Sequence, residues 1–120
     1  MDIPVEISSK TVIPIDSNDY DSIGFYPRDD FLLLEVYGRV KESIFSIRKT
    51  VTQYVVTNKK PVAFRACGSA INLVTTIVHL MRTEEDIYSE DLHLSTFSVQ
   101  VPKQNRLQTG IQIIVFPKEE

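Results

Sequence analysis

AFRACGSAINLVTT, residues 63–76, changes character in its middle. Up to Cys67 the side chains alternate, with Val62, Phe64 and Ala66 on one face and Ala63 and Arg65 on the other, which is the period of a strand. Beyond Gly68 the apolar residues recur every three or four positions. Ala70, Leu73, Val74, Ile77, Val78 and Met81 form one stripe, and Asn72, Thr75, Thr76, His79 and Arg82 lie opposite. A strand therefore runs straight into an amphipathic helix. Gly68 suits the turn between them, because a residue without Cβ accepts a positive φ and lets another backbone approach. Ser69 stands where a helix cap would stand, and exposed amides at a helix N-terminus attract phosphate. Each large member of the stripe contributes about 1.5–3 kcal/mol on burial before chain entropy opposes it, so this stripe, with the apolar stretch at 31–37, should dominate the core.

The same two periods organise the chain on either side. FLLLEVY at 31–37 is short, apolar and closed by Gly38, as a buried strand would be. From Glu42 to Thr57, Ile44, Ile47, Val51, Tyr54 and Val55 fall on one helical face and Ser46, Lys49, Thr50 and Gln53 on the other; Asn58-Lys59-Lys60-Pro61 stops that helix. After the second helix, the acidic residues from Glu84 to Asp91 read as a solvated loop. STFSVQV at 95–101 places Phe97, Val99 and Val101 inward, and IQIIVF at 111–116 is a last strand. Pro102 to Gly110 joins the two as a polar hairpin loop carrying Lys103 and Arg106. The order is β-α-β-α-β-β. It predicts an α+β fold, a two-layer α/β sandwich in which a four-stranded mixed sheet carries both helices on one face. Residues 1–30, with Pro4, Pro14, Pro27 and no sustained periodicity, are expected to form an acidic N-terminal extension to a domain over 31–120.

A chain of 120 residues with 42% apolar side chains suits one compact domain. The lone Cys67 excludes an intramolecular disulfide, and with only His79 and His93 beside it a closed zinc site lacks ligands. MDIPVEISSK lacks the basic start and apolar centre of a signal peptide, and no apolar run reaches membrane-spanning length, so cytosol or nucleus is expected. The net charge of −3 hides a strong segregation. Residues 1–36 hold two basic against eight acidic side chains, 37–83 eight against one, and 84–120 three against seven. One positive face on an otherwise acidic protein follows. No acid–base pair, phosphate loop or activated nucleophile stands out, so neither catalysis nor a cofactor is expected.

At the junction, Ala66-Cys67-Gly68-Ser69-Ala70-Ile71 resembles the Ala-Arg-Gly-x-Ala-Ile pattern of the Alba superfamily, and the resemblance extends over residues 31–118. The tail NRLQTGIQIIVFPKE is similar to the last strand of the small Alba-like subunits of nuclear RNase P and RNase MRP. Cys67 stands where the chromatin members carry Arg, and Gly38-Arg39-Val40-Lys41 replaces their paired lysines with separated cations. The resemblance implies dimerisation and non-catalytic binding of RNA or DNA. It points to an RNA-binding accessory subunit of an RNase P- or MRP-like ribonucleoprotein, acting in tRNA or rRNA processing with a second Alba-like chain. A heterodimer is favoured over a homodimer, since an acidic subunit gains affinity from a more basic partner. A general Alba-type chromatin or mRNA-binding protein, and a mainly protein–protein scaffold, are the alternatives.

Residues expected to meet nucleic acid are Arg39, Lys41, Arg65, Gly68, Ser69, Lys103 and Arg106, with Arg39, Lys41 and Arg65 forming one phosphate track. The last strand, apolar on both faces, is expected to supply the dimer interface through Ile111, Ile113, Val115 and Phe116. The expected compartment is the nucleus, including the nucleolus, with the cytoplasm as alternative.

Overall fold

The structure, a computed structural model, describes residues 12–14, 22–100 and 107–119. Its elements are β1 Val12–Pro14, β2 Ser22–Pro27, β3 Leu32–Tyr37, α1 Ile44–Asn58, β4 Val62–Cys67, α2 Ala70–Glu84, β5 Tyr88–Gln100 and β6 Leu107–Pro117. The strands form one mixed six-stranded sheet in the order β1-β5-β6-β4-β3-β2. The four expected strands are its centre, and the fold is α+β as the sequence predicts. β3 and β4 run parallel, which the crossover through α1 allows; β6 is antiparallel to both β4 and β5.

Two strands come from the stretch expected to be an extension. β2 pairs along its length with β3, from Ser22 opposite Tyr37 to Pro27 opposite Leu32, and packs Ile23 and Phe25 against the core. Pro27 closes this edge strand, a position where a missing N–H is tolerated. β1 runs parallel to β5 and pairs with Ser98–Gln100.

Helical and strand periods meet on one face of the sheet. Leu34 and Val36 of β3, Phe64 and Ala66 of β4, and Ile113 and Val115 of β6 point the same way. Against them pack Ile47, Val51 and Val55 of α1 and the α2 stripe, of which Ala70, Val74, Ile77, Val78 and Met81 are buried. α1 starts at Ser43, whose Oγ accepts from the Ser46 amide at 3.1 Å. It ends at Lys59, a non-glycine residue in the left-handed region (φ 54°) whose amide donates to the Val55 carbonyl. The two helices are tied at one end. Arg48 reaches Glu84 at 2.8 Å and Glu85 at 3.0 Å, while the Thr52 hydroxyl donates to Glu85 at 2.8 Å. Tyr88, beside Thr52, has its phenol pushed up to about 12 by burial.

The acidic stretch after α2 is shorter than a loop from Glu84 to Asp91. β5 already begins at Tyr88, and a register shift between Tyr88 and Leu92 takes up the residues between them. β6 likewise begins at Leu107 rather than 111.

The opposite face of the sheet carries two smaller apolar clusters. Phe31, Leu33, Ala63, Ile114 and Phe116 form one, and Tyr37, Cys67, Phe97 and Val99 the other. Between them lies a polar row in register, Glu35 opposite Arg65 opposite Gln112. Gly110 completes this face, since a Cβ there would fall 2.6 Å from the Phe97 ring.

Candidate nucleic-acid interface

Because β3 and β4 are parallel, they end side by side, Tyr37 opposite Cys67. Each is followed at once by a glycine in the left-handed region, Gly38 with φ 77° and Gly68 with φ 64°. An L side chain adopts that backbone at a cost, so both glycines are needed for the chain to leave the sheet. The two turns are laced together. The Gly38 amide donates to the Cys67 carbonyl at 3.3 Å, and the Ser69 hydroxyl donates to the Gly38 carbonyl at 3.0 Å.

That second bond changes the role expected of Ser69. It occupies the N-cap position of α2 but has helical backbone angles and makes no side-chain cap. Its hydroxyl instead joins the β4–α2 turn to the β3–α1 loop. No side chain at Ser69 caps α2; the Ile71 amide donates to the Gly68 carbonyl at 3.2 Å, and the other first-turn amides, which lack intrahelical partners, lie beside an exposed turn, an arrangement that favours an anion.

The loop joined to it carries Arg39 and Lys41, both exposed. The hairpin leaves the sheet at the same end: Gly110 lies opposite Cys67, and Leu107–Thr109 continue past the end of β4. Its loop cations, Lys103 and Arg106, lie outside the described residues. Arg39, Lys41, Gly68 and Ser69 are therefore brought to one end of the sheet.

Arg65 is not brought there. It lies two residues back in β4, on the face away from the helices, with only 12% of its side chain exposed. Its Nε donates to Gln112 Oε1 at 2.8 Å and its guanidinium faces Glu35 at 3.6 Å. Gln112 is itself buried, so this arginine closes a polar network inside the sheet face rather than extending a phosphate track. Cys67 is buried against Tyr37, Phe97 and Val99, and burial pushes its thiol up, leaving a packed and unreactive side chain.

The residues expected at a dimer interface are largely covered within this chain. β6 lies between β4 and β5, and Ile113, Val115 and Phe116 are buried within this chain, with Ile111 half-buried. Exposed apolar surface lies one strand away. Leu92 and Leu94 of β5 are 40% and 63% exposed, on the helix side of the sheet beside α2. The alternation of Leu92, Leu94 and Thr96 is a legible strand signal that the acidic residues before it obscure.

Among the described residues no group of three or more His, Cys, Asp or Glu side chains is placed to hold a metal ion, and no helix is long and apolar enough to cross a membrane.

A four-stranded centre with two helices on one face and glycine turns at the ends of its parallel strands is the Alba fold. Eighteen chains of known structure match this one. Among them, Alba from Thermoplasma volcanium has a TM-score of 0.52 at 17% sequence identity, covering 68% of this chain and 98% of that one. No protein-family model matches the sequence, and no curated protein does.

Proposed function

We propose that this chain is a non-catalytic RNA-binding subunit of an RNase P- or RNase MRP-like ribonucleoprotein, working in tRNA or rRNA processing in the nucleus and paired with a second Alba-like chain. The observation that carries the proposal is the end of the sheet where Gly38, Gly68 and Ser69 lock two turns together. There the uncapped start of α2 lies beside the loop bearing Arg39 and Lys41. Amides and cations arranged in this way hold phosphate oxygens and position a nucleic acid without reading its bases. The Alba fold supports nucleic-acid binding, and the likeness of the NRLQTGIQIIVFPKE tail to the RNase P and MRP subunits is what favours RNA and a ribonucleoprotein over chromatin. Any RNA chemistry would then belong to the particle, with this chain holding the RNA.

Leu92 and Leu94, together with α2, are the surface on which the second chain would pack. A more basic partner would complement the acidic segments of this chain.

Purification of the tagged protein from its own cells, with sequencing of bound RNA and identification of bound proteins, tests the proposal. A structured RNA recovered with a second Alba-like chain is the expected result. Genomic DNA or assorted mRNA in its place would make this a general Alba-type binder, and protein partners without nucleic acid would make it a scaffold.

A further inference from the structure

α1 carries an aromatic ring that the fold does not use. Its core-facing residues are Ile47, Val51 and Val55, and Phe45 lies off that stripe with 74% of its surface exposed. Phe45 stands at one end of an open groove of about 460 Å³ lined by Arg48, Lys49, Thr52, Gln53 and Glu85. The one carboxylate in this lining is engaged within the protein, because Glu85 accepts from Arg48 at 3.0 Å and from Thr52 at 2.8 Å, although Arg48 is shared with Glu84. Lys49 makes no ion pair among the described residues, and Gln53, one turn further along, offers an amide to hydrogen-bond. Phe45 follows Lys41 by four residues and lies in the first turn of α1, the end of the helix that the loop of the candidate interface enters.

An exposed ring flanked by a cation and an amide is the composition of a platform for an unpaired base: the ring stacks on the base, the ammonium meets a phosphate, and sequence matters little. We propose that Phe45 and Lys49 form a single-stranded RNA site on α1, in which an unpaired base stacks on Phe45 and the adjoining phosphate meets Lys49. This rests on the RNA-binding role proposed above and extends it from the turns at the sheet end to the outer face of α1. A base inside a duplex is already stacked on its neighbours, so the site selects unpaired nucleotides.

The chain contains no tryptophan, which makes Phe45→Trp a single-site reporter. With the full chain and an oligouridine of about a dozen nucleotides, Phe45→Trp emission should be quenched on titration, and Phe45→Ala should weaken binding about tenfold. The salt slope of the Phe45→Ala protein should stay as in the wild type, whereas Lys49→Ala should lower it by about 0.7. Binding of a fully paired RNA hairpin should be unaffected by Phe45→Ala. Val56, exposed on the same helix but outside the groove, serves as control, and Val56→Ala should change nothing. Unquenched tryptophan with undiminished binding by Phe45→Ala would overturn the site and leave the RNA-binding role intact. So would an equal loss on the paired hairpin, or loss of a protein partner rather than of RNA. A wild-type chain that binds neither RNA would overturn both.

Discussion

The two strand-to-helix junctions begin alike and finish differently. Both leave a parallel strand through a left-handed glycine, at Gly38 and at Gly68. After Gly38 the chain runs through a loop to Ser43, which caps α1 through the Ser46 amide. After Gly68 the helix begins almost at once, and Ser69 turns its hydroxyl away from α2 to hold the Gly38 carbonyl. The first junction supplies the cations and caps its helix with a side chain; the second leaves its helix start without a side-chain cap and braces the first. A serine before a helix is thus not a cap by position alone: once its backbone is itself helical, its oxygen no longer faces the first-turn amides.

The largest effects should come from the glycines. Gly38 is buried, and its amide and carbonyl both bond to the second junction, so Gly38→Val should strain the backbone and loosen both bonds. A loss of about 3 kcal/mol is expected, read from urea unfolding. Gly68 is exposed and makes one turn bond, its carbonyl accepting from the Ile71 amide, so Gly68→Val should lose less, about 1–2 kcal/mol. Gly68→Asn should recover most of that, because Asn tolerates the left-handed region. Equal losses at both sites would show that the two turns are not laced as described.

The serines sharpen the contrast at smaller magnitude. Aspartate is as good an N-cap as serine, so Ser43→Asp should leave stability within about 0.5 kcal/mol of the wild type. Ser69→Asp keeps the shape but loses the donor, and it sets a carboxylate against the Gly38 carbonyl. That change should cost about 1 kcal/mol in the same urea experiment and weaken RNA binding as well. If Ser69→Asp proves neutral or stabilising, Ser69 caps α2 after all.

What was legible in the sequence follows from which periods were uninterrupted. The α1 stripe and the alternation of 62–67 stand between clear breakers, and the α2 stripe is long enough to read although no stop follows it, so their facing was readable, while Ile44, Tyr54 and Leu73 pack only half-buried against the core. β2 was not, although Ile23 and Phe25 alternate, because Asp, Gly and Pro crowd so short an edge strand. The start of β5 was hidden for a similar reason: Glu90 and Asp91 read as loop, and they lie in a register shift of the strand, whose pairing with β6 is made by Tyr88 before them and Leu92 after them. Arg65 illustrates a different limit. Alternation correctly placed it opposite Phe64, but whether that face is solvent or a buried polar row depends on Glu35 and Gln112, residues 30 and 47 positions away in the chain. Partners brought in by sheet topology leave no local trace.

The smallest effect on the fold, and the most informative for function, separates cations borne on the loop from the cation borne on the strand. Arg39 and Lys41 are exposed, and Lys41 makes no ion pair among the described residues, so changing both to Ala should leave the urea midpoint nearly unmoved. If both meet phosphates of single-stranded RNA, the slope of log affinity against log salt should flatten by about 1.4, at about 0.7 for each lost contact. The loss should be similar across RNA sequences, because phosphate contacts carry no base information. Arg65→Ala should do the reverse. Leaving Gln112 and Glu35 without their shared donor in a buried row should cost about 1–3 kcal/mol of stability, with the salt slope of the still-folded protein unchanged. If Arg65→Ala flattens the slope as the loop changes do, the guanidinium leaves Gln112 to meet RNA. If neither substitution alters the slope while RNA still binds, the contacts lie elsewhere on the chain, and the convergence of the two junctions serves the fold alone.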